Sequence, residues 1–349
     1  MDVALFDFEL PPEQIAQRPA PDREASRLLV LERSSGSIVA HTTVAALAEY
    51  LHSGDLLVIN DTRVFPARLL GHRDPSGGAV ECLLVRRLEE DCWEALVHPG
   101  QKLRPGSRMV FTGGGMTLRG EVLERHFHGR RTIRLRADEG TDVDRAVDAI
   151  GHMPLPPYIH RPDEQADRER YQTVFARNRG SIAAPTAGLH LTPRLLTEIE
   201  SRGVRRASLT LHVGYGTFKP VRAEQVEEHR VDAEWYEVPP ETAAGVESAR
   251  VAGDRVVAVG TTTTRTLEAA ALAGEGRVRA GRGETGLFIY PGFHFQVIGG
   301  LLTNFHLPRS SLLMLVCAFA GREAVLAAYR EAVGRGYRFY SYGDAMLIL

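Results

Sequence analysis

The sequence predicts an α/β protein in which a larger mixed α/β sheet domain carries an inserted small β-barrel-like domain. Three observations predict this fold. Strands and helices alternate beyond a Pro-rich stretch at 153–158, short strand-like runs fill residues 66–136 without a convincing helix, and the N-terminal segment is too short to stand alone. We therefore expect residues 1–65 and 152–349 to form one discontinuous domain and residues 66–151 to form the insertion.

The N-terminal segment supplies two strands and a helix. Leu28–Leu31 is an apolar run of strand length, and the Ser35-Gly36 pair after it is typical of a turn. The apolar spacing of Val44–Leu51 predicts a helix, and the continuous apolar run Leu56–Ile59 predicts a buried strand. We expect these elements to join the sheet formed by the C-terminal part of the chain.

The predicted insertion is a series of short strand-like runs separated by turn residues. Clusters of Gly, Pro and Asp, such as Asp74–Gly78 and Gly113–Gly115, stand between the runs. Several short strands at this spacing are typical of a small barrel or sandwich. The runs are Ala67–Leu70, Val80–Val85, Trp93–Val97, Met109–Phe111, Met116–Leu123 and Thr132–Arg136.

Beyond the Pro-rich stretch, helical and extended patterns alternate, which favours a mixed sheet covered by helices. Thr192 is a suitable N-cap for a helix that has Pro193 in its first turn. The predicted helices are Pro193–Glu200, Arg265–Leu272, Leu312–Ala320 and Arg322–Val333. The predicted strands are Ala207–Val213, Val256–Val259 and Tyr337–Ser341.

The composition of the 349 residues excludes several classes of protein. Lys and Arg number 42 against 44 Asp and Glu, so the chain is not a generally basic nucleic-acid coat, although one local basic patch for RNA is compatible with this balance. The three Cys lack a CxxC pair and the His lack metal-ligand spacing, so we predict no disulfide framework and no metal site. The acidic N-terminus and the short apolar run Leu312–Ala320 predict a cytoplasmic protein without a membrane anchor.

The segment Ala183–Thr192 is the first with the character of a binding loop. Its small residues let the backbone approach a ligand closely, and a helix N-terminus that favours anions follows them. His190 lies just before this helix N-terminus. The alternative is a plain strand-to-helix turn. The candidate binding residues of this loop are Pro185, Thr186, Ala187 and Gly188.

The segment Thr210–Pro220 contains the end of a predicted strand and the glycines that follow it. Alternation along the strand places His212 on its polar face, and the end of a strand in an α/β sheet is a usual ligand site. A tight turn with a merely hydrogen-bonded His212 is the alternative, but the converging polar residues and glycines favour function. The other candidates here are Gly214, Gly216 and Thr217.

The segment Val259–Glu268 brings four Thr hydroxyls and Arg265 to a predicted helix start. An Arg at a helix N-terminus is electrostatically unfavourable unless an anion lies beside it, so Arg265 is a candidate for binding an anion. A Thr N-cap with Glu268 in a variant of the capping box is the alternative interpretation.

Two further segments place polar groups at strand ends. Asn304, Phe305 and His306 precede a buried helix and can present an amide, a ring and an imidazole at one point, although Phe305 alone is more typical of a core residue. Asp61 and Arg63 lie where the predicted insertion begins, and clefts between domains are favoured ligand sites. An Asx turn is the alternative explanation for Asp61.

The run Arg130–Arg136 is the best candidate for phosphate contacts in the chain. Ile133 and Leu135 alternate with polar residues, which we expect to point outward. A solvated strand face is the ordinary alternative. The candidate RNA contacts are Arg131, Arg134 and Arg136.

Taken together, these segments resemble one family, the S-adenosylmethionine:tRNA ribosyltransferase-isomerases of queuosine biosynthesis. The resemblance runs nearly end to end over long and compositionally unusual blocks. The blocks are Ser26–Val30, Asn60–Val64, Pro154–Ile159, Arg170–Val174, Ala184–His190, Leu211–Gly214, Gly216–Phe218, Gly260–Thr262, Arg265–Glu268, Thr303–Pro308 and Tyr342–Met346.

One departure from the family pattern lies between His229 and Glu234. Asp232 stands where the family usually carries a His, while His229 and Glu234 themselves remain. If the missing His were essential, the activity that the family implies would be affected.

The resemblance implies an unusual transfer reaction. The ribosyl part of S-adenosylmethionine moves onto 7-aminomethyl-7-deazaguanine at the wobble position of a tRNA and isomerises, which gives epoxyqueuosine and releases adenine and methionine. S-adenosylmethionine is then a substrate, the ribosyl donor, and the modified tRNA is the partner. Under this resemblance we expect no metal, no membrane association, and a monomer in the cytoplasm.

The resemblance also implies roles for the candidate residues. A neutral imidazole can serve as acid or base near pH 7, so the acid–base candidates are His190, His212 and His306. The candidates for the methionine carboxylate are Arg265 and the turn Thr186–Gly188. Asn304 and Phe305 are candidates for holding a base ring. Candidates for holding an amine or hydroxyls are Asp61, Arg63 and Asp344.

Two other interpretations stay open at this point. One is a non-catalytic tRNA-binding protein of the same fold, which would shift a tRNA band and release no adenine. The other is an enzyme that uses S-adenosylmethionine on a small molecule and needs no tRNA. Asp232 and the near-neutral charge are the features that keep both open.

Overall fold

The computed structural model describes residues 1–218 and 221–349, with the side chains of His128, Thr217 and Phe218 left aside. Short 3₁₀ helices, including Val44–Glu49, Thr186–His190 and Tyr215–Phe218, connect the longer elements. The α-helices are α1 (Val143–Ile150), α2 (Asp167–Arg170), α3 (Pro193–Ser201), α4 (Pro240–Ala252), α5 (Thr261–Ala273), α6 (Ser311–Ala320) and α7 (Arg322–Gly334).

The strands form three groups within the described residues. A nine-stranded mixed sheet has the order β15-β13-β12-β3-β14-β16-β17-β1-β2, a closed antiparallel barrel has the order β10-β7-β6-β5-β8-β9, and β4 pairs with β11. The sheet strands are β1 (Arg27–Leu31), β2 (Ile38–Thr43), β3 (Leu56–Asn60), β12 (Arg205–Leu211), β13 (Glu234–Val238), β14 (Val256–Val259), β15 (Gly281–Thr285), β16 (Gly300–Asn304) and β17 (Ala345–Ile348). The others are β4 (Thr62–Val64), β5 (Arg68–Asp74), β6 (Ala79–Arg87), β7 (Cys92–His98), β8 (Arg108–Gly113), β9 (Met116–Arg125), β10 (Arg130–Ala137) and β11 (Asn178–Ser181).

The large sheet is buried on both faces, which explains the continuous apolar runs of its central strands. All residues of β3 and β14 are buried, as expected where helices cover a largely parallel sheet on both sides. Helices α4 to α7 pack on one face, while α3 and the 3₁₀ helix Val44–Glu49 pack on the other. The predicted fold class, a mixed α/β sheet with an inserted barrel, is confirmed.

The barrel has a core of its own, and two adjacent chain segments connect it to the large sheet. Phe111, Leu118 and Ile133 belong to this core, and α1 packs against it. The backbones of Arg68 and His152 exchange hydrogen bonds of 3.2 and 2.8 Å where the chain enters and leaves the barrel. All barrel strands and α1 lie within the proposed insertion, residues 66–151.

Three predicted elements differ from those observed. The predicted helix at 44–51 is a 3₁₀ helix that ends at Glu49. Helix α5 begins at Thr261 instead of Arg265, because burial of the Thr run overrides the low helix propensity of Thr. The last strand is β17 instead of 337–341, since Tyr340 has a φ of +74°, which an extended strand cannot accommodate.

Within the described ranges, no individual helix has the length and apolarity to cross a membrane. Helices α6 and α7 reach that threshold only when taken as one pair, and they meet at a bend of 117°.

Candidate active site

Most of the predicted site residues gather at one edge of the large sheet, where four strands end side by side. β12 ends next to His212, β3 ends at Asn60, β14 ends next to Gly260, and β16 ends at Asn304. These strands run parallel to their neighbours in continuous register, so their carboxyl ends meet. Ligands of α/β sheets bind at such an edge.

Asn60 and Asp61 hold this edge together through hydrogen bonds. Asn60 Oδ1 accepts from the backbone N–H groups of Thr62 (3.1 Å) and Leu211 (3.0 Å). The buried Asp61 carboxylate accepts from Thr210 Oγ1 at 2.7 Å and from an Asn178 amide at 3.1 Å. Asp61 is therefore already engaged in the folded chain. Arg63, by contrast, is exposed on β4.

His212 lies directly after β12 and lines a cleft between the sheet and the barrel. Its Nδ1 is 2.8 Å from Thr62 Oγ1, and its ring stacks on Trp235 with centroids 4.9 Å apart. A Cβ on Gly180 would lie 2.5 Å from His212 Nε2, so only glycine leaves room for the ring. Burial lowers the pKa of His212, and the Asp61 carboxylate partly opposes this, so the imidazole is neutral at pH 7.

The cleft has a volume of about 880 Å³ and lies between the barrel and the large sheet. Charges of both signs and aromatic rings line it, and the predicted residues Gly214 and Gly216 also face it. The cations are Arg86, Arg87, Arg130 and Arg179. The carboxylates are Glu94, Asp144, Asp232, Glu234 and Glu284, and the rings are Phe65, Trp93, Tyr215 and Trp235.

Ion pairs connect the two sides of this cleft. Arg130 on the barrel strand β10 lies 2.8 Å from Glu94 of the barrel and 2.7 Å from Asp232 of the sheet domain. Arg86 on β6 contacts Glu284 on β15 at 3.4 Å. Asp232, which stands where the resemblance leads one to expect a His, thus serves as a bridge between barrel and sheet.

Arg265 does not stand at a helix start, and its neighbouring anion is a protein side chain. It lies in the second turn of α5, where its guanidinium donates to Glu234 at 2.6 Å and to the Leu287 carbonyl at 2.9 Å. Glu234 also accepts from the Gly214 N–H at 2.9 Å. Both charged side chains are buried, so the argument from an uncompensated Arg265 at a helix N-terminus was wrong.

A second, smaller cavity lies next to the cleft, and Val213 lines both. It contains three of the predicted loop residues, Pro185, Thr186 and Ala187, together with Asn304 and His306. The start of α5 and three tyrosines complete its wall, which includes Gly260, Thr261, Thr262, Tyr158, Tyr171 and Tyr340.

The fourth candidate of this loop, Gly188, does not line the small cavity. Gly188 faces Phe175 and Thr173, because a Cβ there would lie 2.9 Å from the Phe175 ring and 3.0 Å from Thr173, which indicates a packing role. The side chain of Thr217, a predicted binding residue, lies outside the described part of the chain.

His190 and His306 are buried imidazoles that are neutral at pH 7. Desolvation lowers the pKa of His190 to about 4 and that of His306 to about 3. His306 Nε2 lies 2.8 Å from Thr303 Oγ1. Nε2 of His190 makes no hydrogen bond of normal geometry to any described residue, although the Asn304 side chain lies close enough to raise its pKa slightly.

The structure places two other candidates in structural roles. Phe305 is fully buried, with ring centroids 5.1 Å from those of Tyr329 and Phe339, so it is a core residue and cannot stack on a substrate base. The Asp344 carboxylate accepts from the backbone N–H groups of Arg27 (3.0 Å) and Arg338 (2.8 Å), which ties the end of the chain to β1.

The prediction for the basic strand is wrong at Arg131. This side chain is 2% exposed, and its guanidinium donates to the carbonyls of Leu103 (3.0 Å) and Gly100 (2.5 Å), so it cannot reach a phosphate. Arg134 pairs with Asp91 at 3.2 Å, and Arg136 is exposed. The alternation of β10 carries this information, since Arg131 shares a face with Ile133.

Sequence reasoning missed most of the residues that line the cleft. Arg86, Arg87, Arg130 and Arg179 come from three strands, and only the fold brings them together. Trp235 and Glu234 follow the Asp232 departure closely in the chain, which was the available signal for them. Among residues 1–218 and 221–349, no group of three or more His, Cys, Asp or Glu side chains is arranged to hold a metal ion.

The large sheet, its carboxyl edge and the charged cleft beside it define an α/β enzyme. A family model described as queuosine biosynthesis protein matches residues 3–348. The chain belongs to this family.

Individual relatives agree with this assignment over their full length. Proteins of Heliobacterium modesticaldum and Citrifermentans bemidjiense, both named S-adenosylmethionine:tRNA ribosyltransferase-isomerase, are 54% and 55% identical, and the matches cover 100% of this chain and of each relative. The crystal structure of the S-adenosylmethionine tRNA ribosyltransferase of Thermotoga maritima has a TM-score of 0.56 and 41% identity. That match covers 99% of this chain and 100% of the other.

Proposed function

We propose that this chain transfers and isomerises the ribosyl moiety of S-adenosylmethionine onto 7-aminomethyl-7-deazaguanine at the wobble position of tRNA. The products are epoxyqueuosine in the tRNA, adenine and methionine. Full-length similarity to proteins named for this activity, at 54% and 55% identity, supports the proposal. The substrates are thus S-adenosylmethionine, as ribosyl donor, and the modified tRNA.

The observation that carries the proposal is the cleft between barrel and sheet. A wobble nucleotide brings phosphates and a flat base, which require cations and aromatic surfaces. The cleft offers four arginines and the rings of Trp93 and Trp235 within one space of about 880 Å³. His212 lies on Trp235 in the wall of the same space. We place the anticodon nucleotide here, with Arg130 and Arg179 as phosphate contacts.

We assign His212 as a general base for the proton next to the sulfonium of S-adenosylmethionine. Ser181 Oγ accepts from the Val213 N–H at 2.6 Å and from the Thr62 hydroxyl at 3.0 Å. Because the Thr62 proton goes to Ser181, Thr62 Oγ1 accepts from His212 Nδ1–H at 2.8 Å. This leaves Nε2 of the neutral imidazole without a proton, on a residue that borders the cleft. A base with this lone pair can take up a proton that the neighbouring positive sulfur acidifies.

The other two imidazoles suit fixed hydrogen bonding better than proton abstraction. A general base is most effective when its pKa lies near the working pH, and burial takes the pKa of His190 to about 4 and that of His306 to about 3. We therefore propose His212 as the first choice among the three acid–base candidates. Asp61, Arg63, Gly214 and Gly216 remain proposed substrate-binding residues.

We further propose that residues 1–65 and 152–349 form the catalytic domain, that residues 66–151 form the inserted domain, and that the protein acts as a monomer in the cytoplasm. Arg134 and Arg136 remain proposed RNA contacts on the outer face of β10.

Adenine release from S-adenosylmethionine tests the proposed function. Purified protein is incubated with tRNA that carries 7-aminomethyl-7-deazaguanine, and unmodified tRNA is the control. We expect adenine only with the modified tRNA. Adenine with no tRNA at all would indicate an enzyme acting on a small molecule, and a tRNA band shift without adenine would indicate a binding protein.

A further inference from the structure

A further cavity lies on the barrel, between the hairpin of β9 and β10 and the 3₁₀ turn Gly100–Lys102. We call it the hairpin cavity. Its volume of about 480 Å³ is within the usual range of ligand sites. It shares no lining residue with the cleft. Its side chains are those of Gln101, Arg125, His126, Phe127 and Arg131, so the wall contains two guanidinium groups and an aromatic ring but no carboxylate.

The two guanidinium groups belong to residues that face each other across the hairpin. Arg125 on β9 and Arg131 on β10 are register partners, so their side chains share one face of the two strands. Like charges in this arrangement are destabilising, and neither side chain forms an ion pair with a described residue. Glu124 is the partner of Thr132 and therefore points to the opposite face. The arginine pair thus favours an anion that comes from outside the chain.

Arg131 contributes charge to this cavity from inside the protein. Its three hydrogen bonds go to the carbonyls of Gly100, Leu103 and Arg130, which satisfy its donors and leave its positive charge uncompensated. Burial and, to a smaller extent, the charge of Arg125 lower the pKa of Arg131. Arg125 is exposed and can contact a phosphate itself, while the buried Arg131 raises the positive potential around it.

Phe127 stands at the tip of the same hairpin and is 87% exposed. The turn below it is held by a hydrogen bond of 2.9 Å from the His126 N–H to the Arg130 carbonyl, and Gly129 closes it with a φ of +81°. A large apolar ring in this position costs free energy in water. Aromatic side chains next to cations are the surfaces on which unpaired bases of RNA stack.

We infer that the hairpin cavity binds an unpaired nucleotide of the tRNA, with a phosphate on Arg125 and the base on the Phe127 ring. The inference rests on the proposed function, because the tRNA substrate supplies the nucleotide. A base can lie flat on the ring only when it is free of a duplex stack, so the single-stranded part of the tRNA next to the wobble position is the segment that fits.

The position of the hairpin cavity agrees with this assignment. Arg130 lines the cleft, while Gly129 and Arg131, on either side of it in the chain, line the hairpin cavity. Three residues separate Phe127 from Arg130, so their Cα atoms lie at most about 11 Å apart. A neighbouring nucleotide can therefore reach the hairpin cavity while the wobble nucleotide occupies the cleft.

Equilibrium binding of tRNA by the full-length protein tests the stacking contact. Phe127→Ala removes an exposed ring, so we expect an unchanged melting temperature and an affinity about tenfold lower, the size of one lost stack between a base and an aromatic ring. Phe127→Trp keeps an aromatic face and is expected to bind with the wild-type affinity. Val251→Ala is the matched control, because Val251 is 89% exposed on α4, in the large domain.

Arg125→Gln tests the phosphate contact. We expect it to reduce the slope of log K against log salt by about 1, as the loss of one phosphate contact does. Its melting temperature is expected to be no lower than that of the wild type, because the variant removes a like-charge pair. Arg119→Gln is the control on the same strand, since Arg119 pairs with Asp138 at 2.8 Å and lines neither cavity.

Three results would overturn the inference. They are a wild-type affinity of Phe127→Ala for tRNA, an equal loss of affinity in Phe127→Ala and Phe127→Trp, or the same salt slope in Arg125→Gln and Arg119→Gln. The proposed function is judged separately by adenine release. A protein that shows the binding pattern and releases no adenine retains the RNA site and loses the proposed reaction, whereas adenine release with any of the three results removes the hairpin site alone.

Discussion

The guanidinium of Arg265 and the carboxylate of Glu234 form a buried ion pair of 2.6 Å that joins α5 to β13. Arg265 also donates to the Leu287 carbonyl, and Glu234 accepts from the Gly214 N–H at the edge of the cleft. The pair therefore connects the core of the large domain to the loop that follows β12. Its disruption acts on stability first and on the cleft second.

Arg265→Ala is expected to destabilise the protein by about 3–5 kcal/mol, the usual cost of removing one partner from a buried ion pair. The matched control is Arg282→Ala, because Arg282 pairs with Glu237 at 3.2 Å on β15 and β13 but is 71% exposed. An exposed pair contributes less than about 1 kcal/mol. Urea unfolding of both variants measures the difference. Equal losses would show that the Arg265 pair contributes no more than a surface pair.

Thr62→Val is expected to lower kcat, because it removes the hydroxyl that accepts from Nδ1–H of His212 and fixes the orientation of the imidazole. His212→Ala removes the base itself and is expected to cost ~10²–10⁴ in turnover. Thr62→Ser keeps the hydroxyl and is the matched control. If Thr62→Val and Thr62→Ser turn over at the same rate, Thr62 does not position His212. Single-turnover adenine release separates this effect from tRNA binding.

Stability is expected to fall with acid below about pH 6.5. The pKa of His190 is lowered to about 4 and that of His306 to about 3, from an ordinary value of 6.5. Between these values the unfolded chain binds more protons, so stability is full above pH 6.5 and decreases as the pH falls toward 4 and 3. Each pKa unit between the unfolded and the folded value of a histidine changes the free energy of unfolding by about 1.4 kcal/mol.

His306→Gln tests this dependence through the free energy of unfolding measured from pH 7 to pH 4. The variant is expected to show a shallower decrease than the wild type, whatever its stability at pH 7. His98→Gln, at an exposed position of the barrel, is the control and is expected to keep the wild-type slope. A slope that His306→Gln leaves unchanged would mean that other groups cause the acid sensitivity.

Arg130→Ala is expected to weaken tRNA binding and to reduce the slope of log K against log salt by about 1, as loss of one phosphate contact does. Arg119, exposed on the barrel and paired with Asp138 at 2.8 Å, does not line the cleft, so Arg119→Ala is the control. If Arg130→Ala and Arg119→Ala give the same salt slope, Arg130 does not contact a phosphate of the tRNA.

The sequence predicts those parts of the fold in which buried residues are either continuous or alternate regularly with exposed ones. The runs of β3 and β14 and the alternation of the barrel strands follow from one-sided or two-sided burial, and they are observed. The predicted start of helix α5, Arg265, lies four residues after the observed start, because Thr has a low helix propensity that the burial of the Thr run overrides.

The sequence predicts the site residues that lie at strand ends, but it does not predict the contacts between residues that are distant in the chain. Asn304 and His212 follow strands, so the topology of an α/β sheet is enough to bring them to one edge. The partner of Arg265 is Glu234, which is distant in sequence, and no local rule pairs them. The Tyr171 hydroxyl lies in the wall of the small cavity because the segment after the barrel folds back over the sheet edge, which is a tertiary fact.

The paired backbones of Arg68 and His152 have a consequence for how this protein came to be assembled. The chain enters the barrel at Arg68 and leaves it at His152, and these two residues are hydrogen-bonded to each other. The strand order of the large sheet is therefore independent of the length of the inserted segment. Such an insertion can be exchanged, shortened or enlarged during evolution without changing the connections of the large sheet. The ion pairs and aromatic rings that the barrel contributes to the cleft would then have to evolve again.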